Sequence, residues 1–362
     1  MSTKGVALLG RKDEPTDAVE EYCRYLGDAL ETHRIRLEIH RVTWDTHGWL
    51  DAHQALERQA AAWRETWVLL QYTALAWSLR GFPQRVLRTL RILRSVGARI
   101  AIVYHDVEPY HGSRLIDYLR RAVQLRTMRS AFSLAERAFF TIPLDKVSWL
   151  PRTVHHAHFI PVGPNLPIPE IGSVVREVHE FPTIGIFSIT GGTAGAIETQ
   201  TILTCVRHVT ERIGTLRLLV FGRHAELREA ELREGLRRLP VELSVEGVLK
   251  PHQVVERLSA CDVLLFIRGP ISSRRSSALA GIACGLPVIA YAGPETAPPI
   301  TEAGVILVSP DQPGELNSCL VRVLSDEGFR EQLAAKSRDA YHAYFAWPAI
   351  AARFAAVLNQ QA

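Results

Sequence analysis

Residues 262–291, DVLLFIRGPISSRRSSALAGIACGLPVIAY, constrain the fold of this chain more than any other stretch. The apolar run from Val263 through Ile267 has the pattern of a buried strand; a Gly-Pro break and a polar loop follow, then a helix of small residues that stops at Gly285. The next strand, PVIAY, starts at once. Strand, loop, helix and strand in so short a span make a βαβ unit, the unit that holds nucleotides in doubly wound sheets. Ser276 or Ser277 suits the N-cap, and Arg274 and Arg275 stand just ahead of the first open backbone N–H groups, where a diphosphate would be held. The plainer reading of the same residues is a solvated turn capped by serine.

The same alternation fills the rest of the chain. Strands are expected at 5–9, 35–42, 67–72, 99–104, 139–143 and 158–161, with helices at 18–30, 84–95 and 114–138, the last as one helix or two. After PVGPNLPIPEIGSVVREVHEFP, rich in proline and polar residues, strands at 183–189 and 216–221 alternate with helices at 194–213, 225–238 and 251–260. Alternating strands and helices imply parallel sheets covered on both faces. The 362 residues therefore divide into an N-terminal Rossmann-like domain (1–163), a linker (164–181), a second Rossmann-like domain (182–340) and a closing helix (341–362). Open sheets bind ligands beyond the carboxyl ends of their strands, so the cleft between two such halves is the expected site.

Composition narrows the class without deciding it. The net charge of +4 suits anionic small molecules or a weak membrane-surface attraction as well as nucleic acid and decides nothing alone; on the whole reading nucleic acid is not expected as a partner. Five scattered cysteines, with no CxxC pair, point to a reduced, cytoplasmic protein without structural zinc; no HExxH or His-x-His spacing supports a metal site. MSTKGVALLG meets charge at Arg11 before a signal-peptide core can form, and no apolar run reaches the ~20 residues of a membrane span. The expectation is a soluble protein, at most peripheral to a membrane.

Three segments carry a family resemblance. VEGVLKPHQVVERLSACDVLLFI, ALAGIACGLPVIA and FAWPAIAARFAAVL resemble, in turn, the base-flanking segment, the small-residue helix with Cys-Gly-x-Pro-Val, and the closing helix of GT-B glycosyltransferases, in particular the retaining family 4. VYHDVEP resembles that family's His-bearing strand end in the first domain. The resemblance implies a GT-B architecture of two Rossmann-like domains facing a central cleft, and a hexosyltransferase moving a sugar from a UDP- or GDP-linked donor to a carbohydrate or lipid-linked acceptor. It implies retention, no metal, and no cofactor beyond the donor itself. His105 and Asp106 would be the catalytic positions, His105 orienting the donor sugar. Gly247, Val248 and Leu249 would lie near the base.

Two departures set the chain apart from that family. Its paired glutamates, eight positions apart, fall here on Ser272 and Ala280, and the loop between them reads SSRRSS with Ser273 among its hydroxyls. The first loop of the second domain, in GIFSITGGTAGAIETQ, lacks the usual basic residues, although Gly191 and Gly192 let backbone N–H groups approach phosphate. Arg274 and Arg275 would supply the charge, with Arg223 and Arg268 as further candidates at the same sheet edge. Two alternatives stay open: a catalytically silent nucleotide-sugar-binding or partner protein, and a sugar-nucleotide epimerase on the same fold.

On the acceptor side the candidates are Asp13, Thr16, Asp17, Gln71 and Tyr72. Thr16 and Asp17 equally suit capping of the helix from Ala18, and Tyr72 suits packing. Trp44, Trp49, Trp63, Trp67 and Trp77 read as filler rather than as a sugar-stacking platform. Arg85, Arg88, Arg91 and Arg94 share one helix face, read as solvated, with anionic lipid or a lipid diphosphate as the alternative partner.

Overall fold

The structure, a computed structural model, describes residues 3–14, 16–168 and 180–360. It divides into two compact units, one of residues 1–162 with 347–362 and the other of residues 163–346. Of the linker expected at 164–181, residues 169–179 lie outside the described residues.

Unit 1 runs β1 (Thr3–Leu9), α1 (Ala18–Glu31), β2 (Ile35–Arg41), α2 (Trp44–Ala60), β3 (Trp67–Tyr72), α3 (Val86–Ser95), β4 (Arg99–Tyr104), α4 (Leu115–Leu134), β5 (Arg137–Phe140) and β6 (Ala157–Phe159). Every pairing is parallel, in the order β2-β1-β3-β4-β5-β6. Strands covered on both faces must be apolar throughout, and WVLLQY of β3 is buried at all six positions. α1 lies against the sheet through Tyr22, Cys23, Leu26 and Leu30, the i, i+4, i+8 spacing of one helical face. Trp44, Trp63, Trp67 and Trp77 are buried core, as filler should be. Arg85, Arg88, Arg91 and Arg94 all face solvent.

The chain returns to unit 1 at its end. Residues 341–345 form a π turn, and α11 (Trp347–Leu358) starts anew with Pro348 in its first turn, where a missing N–H leaves no helical bond unmade. Trp347 stacks on Tyr25 at 5.6 Å, Phe354 packs on Phe139 at 4.4 Å, and Trp67 Nε1 donates to the Leu358 carbonyl at 3.0 Å.

Unit 2 repeats the plan with β7 (Thr183–Phe187), α5 (Gly192–Ile213), β8 (Leu216–Phe221), α6 (Glu229–Leu236), β9 (Val241–Glu246), α7 (Pro251–Ser259), β10 (Val263–Phe266), α8 (Ser276–Ala283), β11 (Val288–Tyr291) and β12 (Val305–Val308). It closes with α9 (Pro313–Ser325) and α10 (Glu327–Ala340), and its strand order is β12-β11-β10-β7-β8-β9. All five cysteines are free thiols. Among the described residues no helix is long and apolar enough to cross a membrane, and no group of three or more His, Cys, Asp or Glu side chains is placed to hold a metal.

Several boundaries differ from those the sequence suggests. The helix expected to reach Ala138 ends at Leu134, because Ala135 is extended and residues 137–140 pair with Ala101–Tyr104 of β4. The helix expected from Ala225 begins as a 3-10 turn at 226–228 and becomes α-helical only at Glu229. α2 has no counterpart in the sequence reading; Gly48, at φ +77°, kinks it and interrupts its periodicity.

Candidate functional site

Each sheet reverses its winding once, and loops diverge where it does. In unit 2 the reversal lies between β7 and its neighbour β10; in unit 1 it lies between β1 and its neighbour β3. Asp13 and Asp17 in unit 1, and Gly191, Gly192, Arg268, Arg274 and Arg275 in unit 2, follow the strands that flank these switch points, and Gln71 lies in β3 itself.

In unit 2, four loops leave the carboxyl ends of β7, β8, β10 and β11. The two arginines of the loop after β10 behave differently. Arg274 is spoken for: its Nε and Nη2 donate to Oε2 and Oε1 of Glu295, on the loop after β11, at 2.7 and 2.8 Å. Ser272 Oγ donates to the same carboxylate at 3.1 Å. Burial pushes the Glu295 carboxyl up, but the Arg274 hydrogen bond and charge, with Ser272 and Arg275 adding, hold it below its ordinary range. Among the described residues Arg275 has no such partner, and its Nε is buried without a hydrogen bond. Desolvation, then the charges of Arg274 and Arg268, depress its pKa against the pull of Glu295. Arg268 repeats the pattern: a buried Nε with no partner, and a pKa lowered by burial and by Arg223 despite Glu198. Native interiors rarely leave such donors unsatisfied, and two of them stand here at one sheet edge.

The surrounding backbone adds helix starts to the same edge. Arg275 itself, not Ser276 or Ser277, occupies the N-cap position of α8, and no side chain caps the helix. The serines fall in the first turn, where Ala278 and Leu279 already donate to the Arg275 carbonyl at 2.9 and 3.0 Å and the Ser276 and Ser277 N–H groups precede the first helical acceptor. α5 begins likewise at Gly192 (φ +66°), with nothing within 4 Å of where its Cβ would stand, and with Gly191 as an N-cap that offers no side chain. Glu198 accepts from the Thr190 N–H at 2.8 Å and fixes the loop before α5. The Arg223 backbone is tied to that loop, its N–H reaching Ser188 Oγ at 3.2 Å and its carbonyl accepting from Ile189 at 2.9 Å. Ser273 and Ala280 are buried, the latter inside α8. At the end of β9, the Gly247 carbonyl accepts from the Gly222 N–H at 2.9 Å, a Cβ on Gly247 would meet the Glu226 carboxylate, and Val248 is exposed beside the partly buried Leu249.

In unit 1 the loops after β1 and β3 enclose a pocket of about 250 Å³. Asp13, Asp17, Gln71 and Asp106 line it, as do Arg11, Arg41 and Thr73, which sequence spacing does not single out. Thr16 shares the first loop without lining the pocket, and Tyr72 packs against Tyr104 at 5.3 Å within the sheet. Asp17 caps α1, its Oδ1 accepting from the Val19 and Glu20 N–H groups at 3.1 Å each. Asp106 accepts from the Ala74 N–H at 2.7 Å.

His105 is oriented by Gln71. The Gln71 amide donates to the Leu69 carbonyl at 3.1 Å, which turns its Oε1 toward His105 Nε2 at 2.8 Å. Nε2 therefore carries the proton, and Nδ1 keeps a lone pair. The ring meets Tyr22 edge-on at 4.9 Å, and burial, only partly opposed by Asp17, depresses its pKa to about 4. The imidazole is neutral near pH 7.

The chain resembles solved glycosyltransferase structures over its whole length. WaaG, a glycosyltransferase involved in lipopolysaccharide biosynthesis, matches with a TM-score of 0.68 at 14% identity over 98% of this chain and 100% of its own. Sucrose-phosphate synthase from Thermosynechococcus elongatus matches at 0.68 and 17% identity over 99% of this chain and 98% of its own. HepE from Anabaena, solved with UDP and glucose, matches at 0.61 and 16% identity over 98% of this chain and 99% of its own. The fold is GT-B. No protein-family model matches the chain, and no curated protein matches it.

Within this GT-B chain, Glu295 joins two loops of unit 2. Its replacement by alanine leaves Arg274 without its bidentate partner in a partly buried setting. The expected loss is about 2 kcal/mol of folding stability, read by urea denaturation. An unchanged midpoint would show that the pair contributes nothing net.

Proposed function

We propose that this chain is a glycosyltransferase that moves a sugar from a nucleotide-diphosphate donor to a separate acceptor, without a metal and with retention at the anomeric carbon. The observation that carries this reading is the pair of unpartnered guanidinium groups, Arg268 and Arg275, at the switch point of unit 2. A diphosphate would accept from both of them and from the open N–H groups at the starts of α5 and α8. As the bond from anomeric carbon to diphosphate oxygen breaks, negative charge grows on the leaving group, where these donors stabilise it most. The acceptor oxygen forms its bond on the same face, and its proton passes to the departing diphosphate oxygen. The HepE complexes with UDP and with UDP-glucose favour a UDP-linked hexose as donor. Neutral His105, held by Gln71, offers at Nδ1 an acceptor that would position a sugar hydroxyl.

A silent nucleotide-sugar binder is the second reading, favoured by Ser272 and Ala280, where the resembling family carries glutamates. Calorimetric titration with UDP, GDP and their hexose conjugates, followed by assay of released nucleoside diphosphate, separates the two. Saturable binding of UDP with slow release from UDP-glucose is the expected result. Binding without release would favour the silent protein, and interconversion of free sugar nucleotides an epimerase. No saturable binding of any nucleotide would sink all three.

A further inference from the structure

Unit 1 holds an unpartnered guanidinium of its own. The Arg11 N–H donates to the Ala76 carbonyl at 2.8 Å, fixing the residue on the pocket wall, and the approach is so close that a Cβ on Gly10 would stand 2.2 Å from that carbonyl. Arg11 Nε is buried and has no hydrogen-bond partner among the described residues. The nearby acids do not satisfy it because Arg41 takes them: its Nη2 reaches Asp17 at 3.0 Å and Glu20 at 2.6 Å, while Nη1 donates to the Gly10 carbonyl at 2.8 Å. Asp106 is committed to the Ala74 N–H. The pocket thus presents one guanidinium without a counter-ion beside carboxylates and the Gln71 side chain.

We infer that this pocket binds an acceptor carrying both hydroxyl groups and an anionic group, of the class of sugar phosphates and sugar acids, with Arg11 taking the anion. The inference rests on the proposed glycosyl transfer for the word acceptor, but its chemistry belongs to unit 1 alone. Two arginines against Asp13, Asp17 and Asp106 leave the lining formally at −1, so no net positive field draws the ligand in. Recognition instead comes from a planar fork on the anion, with carboxylates accepting from hydroxyls. Inorganic phosphate lacks the carbon-borne hydroxyls and is expected to bind more weakly than a sugar phosphate.

The test uses the full chain with Arg275→Met, so that anion binding at unit 2 is weakened, titrated by ligand-observed NMR with glucose 6-phosphate, glucuronate, glucose and inorganic phosphate. At least tenfold tighter binding of one anionic sugar than of glucose, lost at least tenfold on adding Arg11→Gln and partly retained with Arg11→Lys, supports the inference. Preference for the phosphate or for the carboxylate names the group. Equal affinity for glucose and both anionic sugars, tighter binding of inorganic phosphate than of either, or indifference to Arg11→Gln in a chain with an unchanged melting profile, overturns it. UDP titration of the wild-type chain reports separately on the unit 2 reading, so the two can fail independently.

Discussion

Replacing Arg275 with methionine is expected to stabilise the free protein while weakening its hold on UDP. Methionine keeps an apolar stem of similar length and removes a cation that is largely enclosed, has a buried Nε without a partner, and lies beside Arg274 and Arg268. Burying an unpaired charge costs several kcal/mol before relaxation, so its removal should raise folding stability by about 1 kcal/mol. The same change removes a charged hydrogen-bond donor to phosphate, worth about 1.5–3 kcal/mol, or roughly ten- to a hundredfold in affinity. Wild-type chain at a hundredfold excess of UDP over its Kd should gain about 2.7 kcal/mol, and the variant far less at the same concentration. A variant that is less stable and binds UDP as well as wild type would make Arg275 a structural cation and remove the main support for a diphosphate site.

The second large effect is set by pH. A histidine with an ordinary pKa of 6.5 in the unfolded chain and about 4 in the folded one takes up its proton more readily when unfolded. The contribution is therefore complete above pH 6.5 and is lost as pH falls toward 4. The span corresponds to about 3 kcal/mol. His105→Asn keeps a donor for Gln71 and cannot titrate. Urea denaturation of both proteins from pH 7.5 to 4 should show the wild type losing about 3 kcal/mol more than the variant, and parallel curves would show that the imidazole is not held neutral. Turnover of the variant should fall more than its affinity for donor, and full activity would remove His105 from the reaction.

The parallel strands were legible because burial on both faces writes itself as short continuous apolar runs, as in LRLLVF of β8 and VLLF of β10. α2 was not, since Gly48 breaks its repeat; β9 was not read either, although VELSVE alternates as a partly exposed edge strand does. The unit 2 loop was legible in kind, since arginines and glycines beside a helix start are a local pattern. The division of labour between Arg274 and Arg275 was not, because Glu295, which decides it, arrives 21 residues later on another strand's loop. Arg11 is a similar case: it lacks a partner only because Arg41, from the end of β2, has taken Asp17 and Glu20. Local patterns reveal which groups are present, whereas vacancy at a site depends on competition between distant segments.

The return of the chain to unit 1 bears on the order in which a ribosome can deliver a finished protein. Unit 2 is one continuous segment, residues 163–346, and can complete its core from residues that follow one another in the chain. Unit 1 cannot: Phe139 waits for Phe354, Tyr25 for Trp347, and the indole N–H of Trp67 for a carbonyl at Leu358. The first half to be synthesised is thus the last to be closed, and until α11 emerges its apolar face is open to chaperones, to proteases, or to another nascent copy.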